Sequence, residues 1–366
     1  MMVSVRILCG VAALGVGIVA GAFLYSGPQR PDTADERAYA LLQAGQTEDA
    51  IGVFTAQIAT HPKNYMLYLR RGVTLQQLGR HEEALGDLTE ALRISPPVMT
   101  AEELGDRVNN AALPETHHWA MARQLHTARA AALAALGRPN DALADLDAAV
   151  ALNGKDAMVR EQRALTRTYV GRIKDAIDDF NVILARLPTA AAVAGRANAK
   201  YLGGDYAGAA QDFTQADDMS ADKGRYAVWL LKSQLRGRLA IPLKQFEDLP
   251  KDHPAWIGVN ALLADYTPAQ MAARLAPGMT GDKKAACDGI VFLGEWLVIK
   301  AAGENASAIF RDALDVCRPG TMPHAVATLE LRRLSTALHS PPAAGAPAVP
   351  AVMRNPPAAA GGSPGI

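Results

Sequence analysis

The sequence predicts an all-α fold, a superhelical solenoid of antiparallel helix hairpins with an apolar helix before it and a disordered tail after it. Of its 366 residues, 49% are hydrophobic but only 5% aromatic, which favours helices packed through small residues over β-sandwiches. Glycine and alanine recur in one frame about every 34 residues, as stacked repeats require. The 37 basic and 37 acidic residues cancel, so the chain lacks the electrostatic attraction that nucleic acid binding needs.

The first 30 residues form an apolar leader. Residues 7–25 carry no charge and follow Arg6, and this length just spans a hydrocarbon core. A basic residue before the segment and acidic residues after it orient the rest of the chain away from the cytoplasm. Residues 20–22 also resemble a signal-peptide cleavage site. Residues 1–30 are therefore predicted to be a signal peptide or a single transmembrane anchor, and both place the chain in the bacterial cell envelope, anchored to the inner membrane or secreted to the periplasm.

The repeating frame has a turn glycine at its centre. A small residue seven positions before this glycine and an alanine five positions after it let two antiparallel helices approach closely. A large apolar residue nine positions after the glycine fills the space between hairpins, and the glycine itself ends the first helix with positive φ. The turn glycines are Gly45, Gly79, Gly137, Gly171 and Gly204.

This frame resembles the tetratricopeptide repeat (TPR), whose helix-turn-helix units stack into a right-handed superhelix. A single hairpin cannot bury both faces, so neighbouring repeats stabilise each other. The predicted organisation is TPR repeats 1 and 2 in residues 31–98, a helical insertion in 99–122, repeats 3 to 5 in 123–223, a degenerate helical region in 224–282, a C-terminal hairpin with a capping helix in 283–338, and a Pro/Ala/Gly-rich disordered tail in 339–366.

The C-terminal hairpin carries two cysteines. Residues 287–317 fit the repeat frame, with Gly294 and Ala306 at the small positions of the two helices. Cys287 and Cys317 then lie where the first helix starts and the second ends, and antiparallel helices bring these points together. Two buried thiols are one interpretation. The expected envelope location favours the other, a Cys287–Cys317 disulfide.

The same region resembles a second, narrower family. The sequences TPAQ at 267–270, FLGE at 292–295 and FRDA at 310–313 make residues 265–335 similar to the C-terminal part of the NlpI family of bacterial envelope TPR lipoproteins. The resemblance implies a dimeric, non-catalytic adaptor that brings peptidoglycan hydrolases and a periplasmic protease together. The N-terminus departs from that family because it has no lipobox around Cys9.

No motif in the sequence indicates catalysis. The G-x-S-x-G, P-loop and Rossmann glycine patterns are absent, so the chain is predicted not to be an enzyme and to need no cofactor. The adjacent His117 and His118 have no further ligand at metal-binding spacing, and residues 117–119 are expected to lie in a loop. Four carboxylates at equivalent positions of second helices are expected to form a solvated face: Asp145, Asp147, Asp178 and Asp179.

The resemblance to TPR proteins implies a concave groove lined by the first helix of each repeat. Aromatic, methionine and amide side chains there suit an extended peptide or a partner helix, although packing between repeats would explain the same residues. The Lys, Asn and Arg set with which chaperone-binding TPR domains hold a terminal carboxylate is missing. The candidate groove residues are Tyr39, Leu42, Met66, Leu69, Gln76, Met158, Glu161, Tyr169, Asn198 and Tyr201.

The predicted function is a periplasmic scaffold that binds other proteins or peptides through its TPR groove and recruits cell-wall hydrolases or a protease, as NlpI-type proteins do. One alternative is a structural part of a secretion or polysaccharide-export assembly. A second is a hydrolase with an inconspicuous site in residues 225–282. The expected partners include a second copy of the chain and, if the leader is retained, the membrane, but no nucleic acid.

Overall fold

The computed structural model describes residues 33–96, 116–251, 253–264, 267–275, 283–299, 303–338 and 352–353. The predicted apolar leader, most of the predicted insertion and almost all of the predicted tail lie outside these residues. The described part is dominated by α-helices, which confirms an all-α architecture.

Sixteen α-helices occur in the described ranges. Their bounds are α1 Thr33–Gln43, α2 Thr47–Thr60, α3 Tyr65–Gln77, α4 His81–Ile94, α5 Thr116–Ala135, α6 Pro139–Leu152, α7 Ala157–Tyr169, α8 Ile173–Leu184, α9 Ala190–Gly203, α10 Tyr206–Met219, α11 Ala227–Arg236, α12 Pro254–Leu263, α13 Pro268–Leu275, α14 Lys283–Ile299, α15 Gly303–Val316 and α16 Met322–Leu338.

The predicted turn glycines separate the paired helices as expected. All five have positive φ, between 73° and 87°, a conformation that glycine adopts without the steric cost of a Cβ atom. In the α3–α4 turn, the Gly79 amide donates to the Gln76 carbonyl at 3.0 Å and the Arg80 amide donates to the Leu75 carbonyl at 3.0 Å. These bonds satisfy carbonyls that the helix end would otherwise leave unpaired.

The large residues nine positions after each glycine are buried, as predicted. Phe54, Leu88, Leu146, Phe180 and Phe213 are each at most 3% exposed, and burying such a side chain contributes about 1.5–3 kcal/mol. The small position seven before the glycine is confirmed by the close approach it permits. A Cβ added to Gly72 would lie 2.9 Å from the Leu88 Cγ atom.

The chain divides into two compact units, Met1–Gln162 and Arg163–Ile366. In the first unit, α1 to α6 and the start of α7 surround small clusters of buried apolar side chains. Helix α5 begins at Thr116, so residues 116–122 belong to the third hairpin, and the loop expected at 117–119 is helical. The reason is local: after Pro114 no residue up to Gly137 breaks the helix.

The second unit contains one continuous apolar core. Its irregular part contains α12 and α13, each of which begins with a side-chain cap. Helix α12 is capped by His253, whose Nδ1 accepts from the Ala255 amide at 3.2 Å, and Thr267 caps α13 through a 3.3 Å bond from the Gln270 amide. Two short strands, β1 Ile241–Pro242 and β2 Val352–Met353, pair in parallel.

Candidate functional site

The candidate interaction surface of the first unit is formed by the first helices of its hairpins. We call it the first-helix face; it comprises the exposed side of α1, α3, α5 and the start of α7. Helices α3 and α5 are neighbours on it, because the Gln76 Nε2 atom donates to the Ala128 carbonyl at 2.7 Å. This hydrogen bond joins two successive hairpins through residues that lie 52 positions apart in sequence.

The groove residues predicted in this unit differ in exposure. Tyr39 is 46% exposed and Met158 is 55% exposed. Leu42 and Met66 are half-buried. Leu69 is 1% exposed and belongs to the core. Tyr39 and Met158 therefore expose much of their side chains to solvent, whereas Leu69 packs inside the unit.

Glu161 adds a charged group one turn after Met158. The side chain is half-buried, and burial raises the pKa of its carboxyl group above the usual value. No ion pair to Glu161 forms within the described residues. A cationic group that approached this carboxylate would stabilise its charged form.

The groove residues predicted in the second unit are more enclosed. Tyr201 is 2% exposed. Burial raises the pKa of Tyr169 to about 12. Asn198 is half-buried, and its Oδ1 atom accepts no hydrogen bond in the part of the chain that the structure describes. Tyr201 therefore contributes to internal packing in this unit.

Tyr201 belongs to a network of charged side chains that sequence reasoning missed. We call it the buried ionic network. It joins α9, α10, α11, α14 and α16. Its members are Tyr201, Tyr206, Lys232, Arg236, Glu295, Glu330 and Arg333.

The first half of the network surrounds Glu295. The Lys232 Nζ atom lies 2.9 Å from Glu295 Oε2, and both side chains are only 2% exposed. The Tyr201 hydroxyl donates to the other carboxylate oxygen. Lys232 Nζ also lies 4.1 Å from the centroid of the Trp229 ring, where the negative face of the aromatic system attracts a cation.

The second half surrounds Glu330 on α16. Arg236 Nη2 donates to Glu330 Oε1 at 2.8 Å, and Arg333 Nη1 donates to the same oxygen at 2.7 Å. Arg333 also donates to the Tyr206 hydroxyl at 3.0 Å. Burial nevertheless raises the pKa of Glu330 above its usual value, against the lowering effect of Arg236. These contacts hold α16 against α10 and α11. Helices of the same unit therefore cover Glu330.

A second feature unites the hairpins. In four of them an arginine of the first helix donates through Nε and Nη2 to the two carboxylate oxygens of an aspartate of the second helix, 16 residues later, at 2.7–2.9 Å. The pairs are Arg71–Asp87, Arg129–Asp145, Arg163–Asp179 and Arg196–Asp212. Bidentate geometry of this kind is strong and directional.

These pairs correct the expectation of a solvated carboxylate face. Asp145 and Asp179 are each 3% exposed, although Asp178 is solvated and pairs with Lys174 at 2.8 Å. Burial alone would raise the pKa of Asp145, but hydrogen bonds from His126 and the Arg129 guanidinium outweigh it and hold the pKa below its usual value. The missed signal was an arginine eight positions before each turn glycine and an aspartate eight positions after it.

The C-terminal hairpin brings its cysteines together. The Cα atoms of Cys287 and Cys317 lie 5.1 Å apart, and their sulfur atoms are at disulfide distance. The small position is also confirmed, because a Cβ on Gly294 would lie 2.6 Å from the Phe310 ring.

None of the described helices combines the length and apolarity that a membrane span requires. Across the same ranges, no three His, Cys, Asp or Glu side chains lie together as metal ligands would.

Comparison with known proteins identifies the repeat. Residues 36–98 match the tetratricopeptide repeat family. These residues are therefore similar to TPR repeats. A 65-residue segment is 34% identical to the Hsp70-Hsp90 organizing protein of Triticum aestivum, covering 18% of this chain. The chain spans only 11% of the length of that relative.

Solved structures of TPR proteins are similar at lower identity. One from Parabacteroides merdae is 17% identical, with a TM-score of 0.49, over 82% of this chain and 98% of its own. YrrB, a TPR protein with an unusual peptide-binding site, is 19% identical with a TM-score of 0.40, over 50% of this chain and 84% of its own.

Proposed function

We propose that the chain is a non-catalytic adaptor that binds a peptide or helix of another protein through the first-helix face of its first unit. The observation that carries the proposal is the exposure of Tyr39 and Met158, at 46% and 55%. Aromatic and methionine side chains are typical anchors in protein interfaces.

The second unit supports this assignment by contrast. Its predicted groove residue Tyr201 is covered and hydrogen-bonded to Glu295, and α16 is held in place through Glu330. A partner would have to displace these contacts before it could reach Tyr201. In the first unit, by comparison, Tyr39 is 46% exposed and Met158 is 55% exposed.

The chemistry of the first-helix face defines the partner. Tyr39 and Met158 favour apolar or aromatic side chains, and the half-buried Glu161, one turn after Met158, favours a lysine or arginine. A segment with an apolar anchor and a basic residue therefore fits this surface better than an acidic one.

We also propose a location and a pathway. The uncharged segment at residues 7–25 and the paired Cys287 and Cys317 support a periplasmic location in the bacterial envelope. The similarity of residues 265–335 to the NlpI family supports recruitment of cell-wall hydrolases or a protease. Protease accessibility in spheroplasts tests the location, since a cytoplasmic chain would stay protected.

Site-specific photocrosslinking tests the adaptor function. A photoreactive residue at Tyr39 or Met158 of the full-length chain should yield adducts with the same partner protein. Met219 is the matched control, because it is 42% exposed but lies on a second helix of the other unit. Binding of the identified partner to the Tyr39→Ala/Met158→Ala variant should weaken at least tenfold, whereas Met219→Ala should bind normally. Equal adducts at all three positions, or unchanged binding by the double variant, would refute the proposal.

A further inference from the structure

The first hairpin of the described chain has an exposed surface between its two helices. We call it the end face. It surrounds a shallow cavity of about 460 Å³ between α1 and α2, lined by Arg37, Leu41, Asp49, Gly52, Val53 and Ala56.

The next hairpin shows how the same positions are covered inside the array. Leu75, the equivalent of Leu41, is 3% exposed, whereas Leu41 is only half-buried. Arg71, the equivalent of Arg37, donates to the Thr55 hydroxyl of the preceding hairpin at 3.0 Å. This surface is therefore built to pack against another helix, and repeat proteins must cover or cap such terminal faces.

Arg37 also lacks the aspartate that accompanies its equivalents. The position eight residues after the turn glycine is Val53 here, in place of an aspartate. A different carboxylate, that of Asp49, lines the same cavity as Arg37. Arg37 and Asp49 are exposed and form no ion pair, with each other or with another described residue. Among the described residues, Arg37 and Asp49 of the end face thus have no ion-pair partner, and they lie beside an apolar floor.

We infer that the end face is the interface between two copies of this chain. In a two-fold dimer each surface meets itself, so a contact from residue i to residue j occurs twice. Arg37 of one copy then faces Asp49 of the partner subunit, and the reciprocal pair forms as well. Gly52 and Ala56 lie one turn apart on α2 and are small and exposed, which lets the two α2 helices approach closely.

This arrangement gives Arg37 what Arg71 has inside the array: a carboxylate partner and a covering helix. Val53 and Leu41 become buried at the same time, which provides the apolar contribution to association. The charge pattern of the end face is complementary to itself. Docking of an all-acidic or all-basic partner would leave either Arg37 or Asp49 facing a like charge.

Charge reversal tests the interface on the full-length chain in detergent, with the mass measured by analytical ultracentrifugation. The wild-type chain should be a dimer. Arg37→Asp makes both positions acidic and Asp49→Arg makes both basic, so each variant should raise the dimer dissociation constant at least tenfold. Arg186→Asp, at an exposed arginine of the second unit, is the matched control and should dimerise normally.

Mixing the two variants is the decisive step. An Arg37→Asp copy and an Asp49→Arg copy place opposite charges at both contacts, so the mixture should form a heterodimer although neither variant forms a strong dimer alone. A monomeric wild type would overturn the inference, as would a dimer that both reversals leave intact. Failure of the mixture to associate, with native circular dichroism of both variants, would show that another segment or protein covers the end face.

Discussion

Two adjacent aspartates on α8 provide the sharpest test of the arginine–aspartate pairs. Asp179 is 3% exposed and accepts from Arg163 at 2.7 and 2.9 Å and from Arg167 at 2.8 Å. Asp178 has a side chain that is 55% exposed and pairs with Lys174, whose side chain is 87% exposed. We predict that Asp179→Ala destabilises the second unit strongly and that Asp178→Ala does not.

The expected magnitude follows from burial. Removing Asp179 leaves two guanidinium groups, each 12% exposed, without this carboxylate. Loss of one partner from a buried ion pair costs about 3–5 kcal/mol, and the partial exposure of both arginines favours the lower end, about 3 kcal/mol. The Asp178–Lys174 pair is solvated, so its loss should fall within measurement error. The change in helix propensity is the same in both variants and cancels in the comparison.

Urea unfolding of the full-length proteins, followed by circular dichroism at 222 nm, measures the difference. The transition midpoint of Asp179→Ala should fall without a change in slope, because the surface exposed on unfolding is unchanged. If Asp179→Ala were no less stable than Asp178→Ala, the pairs would be incidental contacts and the reasoning from burial would be wrong.

Three further predictions concern the second and first units. Replacing both Cys287 and Cys317 by serine should lower stability by about 3.5 kcal/mol, and mass spectrometry without reductant should show the two residues linked in the wild type. Lys232→Met should destabilise by about 3 kcal/mol because it leaves Glu295 buried without its cation, and the Lys232→Met/Glu295→Leu variant should recover most of the loss. The folded-state pKa of Asp145 is depressed, so Asp145 stabilises the fold above pH 3.8 and loses this effect as the pH falls through the lower folded value. The difference in unfolding free energy between the wild type and Asp145→Asn should therefore shrink below pH 3.8. Urea titration at several pH values measures it.

Much of the hairpin geometry could be predicted from the sequence because it depends on local spacing. A turn glycine such as Gly79, a small residue such as Gly72 and a buried Leu88 occur at fixed offsets, and each offset has a steric reason. The start of α5 was harder to place, because the sequence around residue 116 offers no cap as clear as Thr267 before α13.

The buried ionic network could not be predicted in the same way. Tyr201 and Glu295 lie 94 residues apart, as do Arg236 and Glu330, and neither pair follows the repeat spacing. The arginine–aspartate pairs are an intermediate case. Their 16-residue separation is constant, so the signal was present, but single carboxylates on helices are usually solvated and gave no reason to look for it.

The buried ionic network places charged side chains where apolar ones would avoid a desolvation cost. Taking Lys232 and Glu295 out of water is costly, and well-packed apolar side chains could stabilise the same contact equally well. Apolar side chains, however, would allow α11 and α14 to pack in several registers. The Tyr201 hydroxyl and the Lys232 ammonium each bind one oxygen of Glu295, and the Trp229 ring lies against the Lys232 ammonium. Any shift of α14 along α11 would therefore leave a buried charge unpaired. We therefore expect the Lys232→Met/Glu295→Leu variant to keep its stability but lose uniqueness of packing, visible as broadened methyl resonances. Sharp resonances would show that the apolar core alone sets the register.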